Sequence, residues 1–273
     1  MKLIVKADDY GYTKTYNEGT IEAVQNGIVT IVDLMLDTPG VEDAIERIKD
    51  YPWISVGWHG SHFWGAPVAD PKLLPSMVDY ETGRFKNWRK DPEAKLHISY
   101  DEALIECRAQ VEKCIALLGR APIVARIRDD SPLERAKKVI CDEYKINYTY
   151  EQDLARLEMN GRAYALAESK DYAKIASYDP VSYIMNCQPM VKDTEAAITV
   201  WHCGYLDSYI AAESSFTTVR CVDVAAMCSP KLRQWIIDNQ IELINMSDWL
   251  YGTHEYQNHL KVIGSDLCVR KYD

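Results

Sequence analysis

Apolar residues along this chain fall alternately into short continuous runs and into helical stripes. LIVKA opens the series and is followed by a helix that begins around Asn17-Glu18-Gly19-Thr20 and runs through Gln25. IVTIVDLML then reads as a strand, VEDAIERIKD as an amphipathic helix stopping before Pro52, and ISVGWHG as a third strand. From Tyr100 to Leu118, one stripe carries Leu104, Cys107, Val111, Cys114 and Leu118, which predicts a long helix. IVARIR suggests a fourth strand, and INYTY, AITVWHCG and IELINM suggest more. SPLERAKKVICDEY and SPKLRQWIIDNQ each place a serine cap before proline at the first helical turn. Strand–helix alternation of this kind predicts an α/β fold with a parallel sheet, barrel-like in form. Nothing in the chain marks a linker or a repeat, so residues 1–273 are read as a single domain.

One segment interrupts the alternation. Residues 61–98 are proline-rich, have no sustained helical period and leave directly from the end of the third strand. A connection of that length beside the C-terminal end of a strand is expected to act as a lid or substrate-binding loop. The final residues, EYQNHLKVIGSDLCVRKYD, would pack on the barrel or on a second copy of the chain, which leaves a homo-oligomer open.

Charge narrows the partners. With a formal net charge of −10 and no basic cluster longer than KNWRK, neither nucleic acid nor an anionic membrane is an expected partner. No stretch approaches a membrane span or a signal-peptide core, so a cytoplasmic location is expected. The 8 cysteines include no CxxC pair and read as free thiols.

Candidate chemistry lies at three predicted strand ends. Asp8 and Asp9 follow LIVKA, His59 ends SVGWH, and His202 ends TVWH; each is followed closely by glycine. Neighbouring strand residues point to opposite faces, so both aspartates reach one site only where the chain bends, for which Gly11 gives latitude. Carboxylate and imidazole together suit Zn²⁺ or a similar ion, and a second carboxylate could take a proton from bound water. Taken singly, a paired aspartate is as well explained by a helix cap or an ion pair, and a histidine by a structural contact.

VKADDYGYT resembles the N-A-D-D-F-G opening of the YdjC-like carbohydrate deacetylases, which include chitooligosaccharide deacetylases. SVGWHGSHFWGAPV is similar to that family's G-L-H-L stretch and the proline-containing loop after it, continuing through LLPSMVDYETGRF. ECRAQVEKCIALLGRAP resembles its helix ending Gly-x-x-Pro, and WHCGYLD its C-H-P-G-Y motif with Cys203 in place of proline. The resemblance implies a distorted (β/α) TIM-like barrel related to the NodB-type deacetylases. It implies a metal-dependent hydrolase that removes acetyl groups from N-acetylated sugars or short oligosaccharides, with a small carbohydrate as substrate. Asp8 would be the catalytic base and His202 the general acid, while Asp9 and His59 would ligate one divalent ion, Zn²⁺ or Mg²⁺.

The family's further histidine, in a D-S-H motif after Gly-x-x-Pro, is missing: the chain reads APIVARIRDDSP. A third ligand would have to come from Asp129, Asp130 or His62. Otherwise Arg128 would place a fixed positive charge where the cation would sit. Trp58, Trp64 and Trp88 are candidates to stack on sugar rings, with Arg128 beside them. A sugar-binding relative that has lost the metal, and a hydrolase of another amide, remain as alternatives.

Overall fold

The computed structural model describes residues 1–60, 62–87, 92–157, 172–186 and 194–269. The chain begins with a long strand, β1 (Lys2–Tyr10), whose first residues are buried on both faces, as in a parallel sheet covered on both sides. β2 (Ile31–Leu34) and β3 (Ser55–Trp58) follow, then a two-stranded antiparallel ribbon of β4 (Val78–Asp79) and β5 (Arg84–Phe85). β6 (Ala155–Leu157), β7 (Ala196–Trp201) and β8 (Glu242–Leu243) complete the strands. The main sheet is parallel, in the order β3-β2-β1-β7-β6, and β8 pairs with the start of β1. β2 takes up the same edge of β1 further along, from Lys6 onward. The expected α/β class with a parallel sheet is therefore present; among the described residues the ladder does not close into a ring.

Two expected strands are much reduced. IVARIR contributes only single bridges at Val124 and Ala125, and INYTY only Asn147, which pairs with Val124. Each segment meets a neighbour for one or two residues and then diverges, too briefly for a ladder.

The helices match their capping chemistry. The helix Tyr100–Leu118 ends at Gly119 in the left-handed conformation. In the helices Pro132–Tyr144 and Pro230–Asp238, Ser131 and Ser229 each accept a backbone N–H from the first turn. The helix Lys14–Gln25 begins earlier than its sequence suggests, because Thr13 accepts from the Tyr16 amide.

The tail returns to the body. Tyr256, Leu260 and Leu267 are buried, and His259 stacks on Trp53 with centroids 3.5 Å apart. Seven cysteines within the described residues are free thiols, Cys107 and Cys114 buried on one helical face. Among the described residues no helix is long and apolar enough to cross a membrane.

Candidate active site

Sheet register gathers the three charged strand ends. Ala7 pairs with Trp201, so Asp8 and His202 are the next residues on adjacent strands. Leu34 pairs with Trp58, and the His59 amide donates to the Leu34 carbonyl at 2.9 Å. All three ends lie at the C-terminal edge of the parallel sheet, where α/β folds place ligands.

The bend that lets both aspartates serve one site occurs at Asp9 itself, with φ of +64°, as well as at Gly11, with φ of +96°. A side chain at Gly11 would stand 2.7 Å from the Met35 carbonyl, so glycine is needed there for space as well as for φ. Tyr16 on the first helix donates to the Asp8 carbonyl at 2.8 Å, bracing the bent segment from behind.

The bend opens onto a cavity of ≈ 250 Å³ lined by Asp8, Asp9, His59 and His202. Tyr12, Phe63, Trp64 and Phe216 supply aromatic walls, and Arg126, Arg128 and Arg220 supply guanidinium groups. His59 Nε2 lies 3.4 Å from Asp9 Oδ1 and 3.7 Å from Asp8 Oδ2.

Protein cations already hold both carboxylates. Lys6, inside β1 and 2 % exposed, sits 3.2 Å from Asp8 Oδ1 and donates to Asp33 Oδ2 at 2.7 Å. Burial alone would raise the Asp8 pKa, but Lys6 and then His59 outweigh it and hold this carboxyl well below the usual range. Asp33 has the same cation and is nevertheless raised, because its burial dominates.

Arg220, from the helix Thr218–Met227, reaches Asp9 Oδ2 at 2.8 Å. It also donates to the Phe216 carbonyl, Ser214 and Tyr16, and its guanidinium lies over the rings of Tyr12, Tyr16 and Phe216. Against the upward push of burial, Arg220 brings the Asp9 pKa down to about 2.

The two imidazoles differ. Burial lowers the His202 pKa, and its neighbours do not restore it. Burial would also lower His59, but Asp8 and Asp9 outweigh it and raise that pKa. Behind His202, Asp223 accepts its backbone N–H at 2.9 Å and the Tyr178 hydroxyl at 2.7 Å, fixing the loop after β7.

The other sequence candidates fall in different places. Trp64 lines the cavity. Trp58 does not: it is 1 % exposed and donates from Nε1 to Gln110, because the inward face of β3 points into the core. Trp88 lies outside the described residues. His62 is buried between Trp58 and Phe85, with Nε2 3.6 Å from Cys107 Sγ. Burial, aided by Lys137 and Arg128, pushes its pKa down to about 3. Asp129 pairs with Lys95 and caps Ser131, and Asp130 lies on a separate surface beside Arg135 and Lys138.

The ion expected from the family can be weighed against these donors. Asp9 and His59 stand at a spacing that two ligands of one ion can have, but a catalytic zinc needs three protein ligands. Asp129, Asp130 and His62 all sit elsewhere, and Arg128 lines the cavity instead. Among the described residues no group of three His, Cys, Asp or Glu side chains is arranged to hold a metal ion. The donor set does not fit a resident divalent ion.

Residues 61–98, expected to act as a lid or substrate-binding loop, are fastened down where described. Phe63 and Trp64 form cavity wall; beyond them Glu106 accepts the Val68 and Ala69 amides and Glu102 accepts Ser76. Sequence reading missed Lys6, Arg220 and Tyr12. Tyr12 borders the cavity, and its buried hydroxyl has no hydrogen-bond partner among the described residues. Lys6 had a visible signal, since it occupies the asparagine position of N-A-D-D-F-G.

Comparison with known proteins bears out the resemblance read from the motifs. Residues 2–123 match the family model described as YdjC-like protein. A carbohydrate deacetylase of Brevibacillus brevis is 27% identical over 258 residues, covering 91% of this chain and 99% of the relative. Carbohydrate deacetylase 2 of Listeria innocua is 27% identical over 255 residues, covering 91% and 98%. A solved Enterococcus faecalis V583 structure, provisionally described as a cellobiose-phosphate cleavage protein, superposes with a TM-score of 0.69. At 22% identity it covers 89% of this chain and 97% of its own, a likeness of fold.

Proposed function

We propose that this YdjC-like chain is a carbohydrate deacetylase, hydrolysing the acetyl amide of a small N-acetylated sugar. The observation carrying this reading is the convergence of Asp8, Asp9, His59 and His202 on one cavity with aromatic walls. Trp64 and Phe216 bring aromatic surface to the cavity for a sugar.

In this reading, Asp8 takes a proton from water as its oxygen attacks the acetyl carbon. The adduct collapses with loss of the C–N bond, and His202 delivers a proton to the departing nitrogen, leaving acetate and the free amine. At neutral pH His202 rests uncharged, so it must itself take up the proton that it delivers, and the proton released from the attacking water is the source within the cleft. A carboxyl held this far below its usual range gives up a proton readily, and imidazole is the stronger base. The cost falls on the first step, where so weak a base must accept it.

The test is acetate release from N-acetylglucosamine and its short oligomers, compared with Asp8→Asn. Turnover by the wild type, with a loss of about 100-fold or more in the variant, supports the proposal. Equal rates would dismiss it. A second reading, a sugar-binding relative without turnover, is favoured by the Arg220 clamp on Asp9; saturable sugar binding with no acetate released would establish it.

A further inference from the structure

The charges around the cavity balance without an added cation. Asp8, Asp9 and Asp33 supply three carboxylates. Lys6 serves Asp8 and Asp33, and Arg220 serves Asp9. Two more guanidinium groups line the cavity: Arg126, which is 3.6 Å from its own counter-ion Glu151, and Arg128, whose Nη1 donates to the Gly60 carbonyl at 3.1 Å, pointing the head group along the loop after β3 and onto the cavity wall. The counter-ion of Arg128, Glu134, is 3.9 Å away and is shared at the same distance with the buried Lys137. A divalent ion would leave this cluster strongly positive, beside three guanidinium groups and with one Asp9 oxygen already occupied.

We infer that the cleft operates without a divalent metal: Lys6 and Arg220 hold the two carboxylates in place, and Arg128 presents its guanidinium to the carbonyl oxygen of the bound amide. The Arg128 part rests on the hydrolase reading; the absence of a metal requirement does not. The chemistry suits the task. As water attacks, the carbonyl π electrons move onto oxygen, and a fixed guanidinium can donate hydrogen bonds to the oxyanion that forms. No electron leaves the protein and no co-reactant beyond water is needed. Arg128 keeps about a third of its side-chain surface, 31%, exposed, consistent with a group that meets a ligand. Arg220 is 3% exposed and fully engaged, and serves as a positioning residue.

The first experiment measures zinc in the full-length protein by mass spectrometry after equilibration with zinc chloride and dialysis. Wild type should retain no stoichiometric ion, and its melting temperature should not respond to EDTA. One ion per chain, lost in Asp9→Asn, would overturn the inference whether or not any sugar is turned over. The second experiment compares Arg128→Gln and Arg128→Lys in acetate release, with folding checked by circular dichroism. Arg128→Gln should lower kcat about 100-fold with little change in KM, Arg128→Lys should recover part of it, and EDTA should do nothing. Activity abolished by EDTA and restored by zinc would refute metal independence and leave the hydrolase standing. No acetate release from any substrate would remove both the hydrolase and the role given to Arg128, while the zinc measurement would still decide the rest.

Discussion

Replacing Arg220 by methionine tests the clamp on the second carboxylate. The side chain is buried, donates to Asp9, Tyr16, Ser214 and the Phe216 carbonyl, and methionine keeps much of its bulk without its charge. Asp9 ionises at about 2 in the folded chain and near 3.8 when free, so its surroundings favour the charged form by about 2 kcal/mol. Removing the guanidinium withdraws that support and strands a buried carboxylate, an expected loss of about 3–5 kcal/mol at pH 7. Asp9→Asn strands the guanidinium and should cost a similar amount. The double variant, with neither charge, should recover at least ~2 kcal/mol relative to the sum of the two losses. Because the folded pKa is depressed, the pair's contribution is complete above pH ~4 and disappears as pH falls toward 2. Urea unfolding at pH 7 gives the four stabilities of the cycle. A cost below about 1 kcal/mol for Arg220→Met, or single costs that simply add, would refute the argument that the clamp is a coupled buried pair.

Tyr12→Phe should leave urea stability within about 0.5 kcal/mol, since its buried hydroxyl has no hydrogen-bond partner among the described residues; a loss above about 1 kcal/mol would mean that the hydroxyl is engaged. Trp64→Ala should weaken sugar binding by calorimetry, whereas Trp58→Phe should lower the melting temperature by opening the buried contact to Gln110; the reverse pattern would mean the two indoles are wrongly assigned. The folded-state His62 pKa of about 3 lies below its free value of 6.5, so its neutral form supports the fold fully above pH 6.5. That support is lost as pH falls toward 3, with a ceiling of about 5 kcal/mol; His62→Gln should flatten the decline in an acid titration, and an unchanged slope would count against it. Gly204→Ala would set a methyl 2.1 Å from the Tyr16 ring, displacing the helix that braces Asp8; soluble expression with wild-type melting would contradict that packing.

The three strand ends, the helix at Tyr100–Leu118 and the two serine caps were readable because each is a local pattern: an apolar run, a stripe, a capping sequence. Arg220 was not, and Lys6 showed only as a departure from the motif's asparagine, with nothing to say what it meets. Lys6 lies inside an apolar strand and is tolerable only because Asp8 and Asp33 meet it in space. Arg220 sits 211 residues from Asp9, on a helix whose sequence shows nothing of what it faces. Trp58 was misplaced for the same reason, since a strand pattern does not say which face looks into the core and which toward the loop. The reduced strands at IVARIR and INYTY reflect pairing geometry, which β-branched composition alone does not determine.

Asp9 is both a charge and a hinge. Its backbone lies in the left-handed region, which aspartate and asparagine tolerate better than alanine does. Deleting the carboxylate with alanine therefore also strains the turn that brings Asp8 to the cavity, and a dead Asp9→Ala protein would say little about which was lost. Asparagine separates the two, keeping the turn and removing the charge. The same constraint bears on descent: a lineage losing this chemistry could drift at His202 or Arg128 before it could drift here, so the paired aspartates can outlast the reaction they once served.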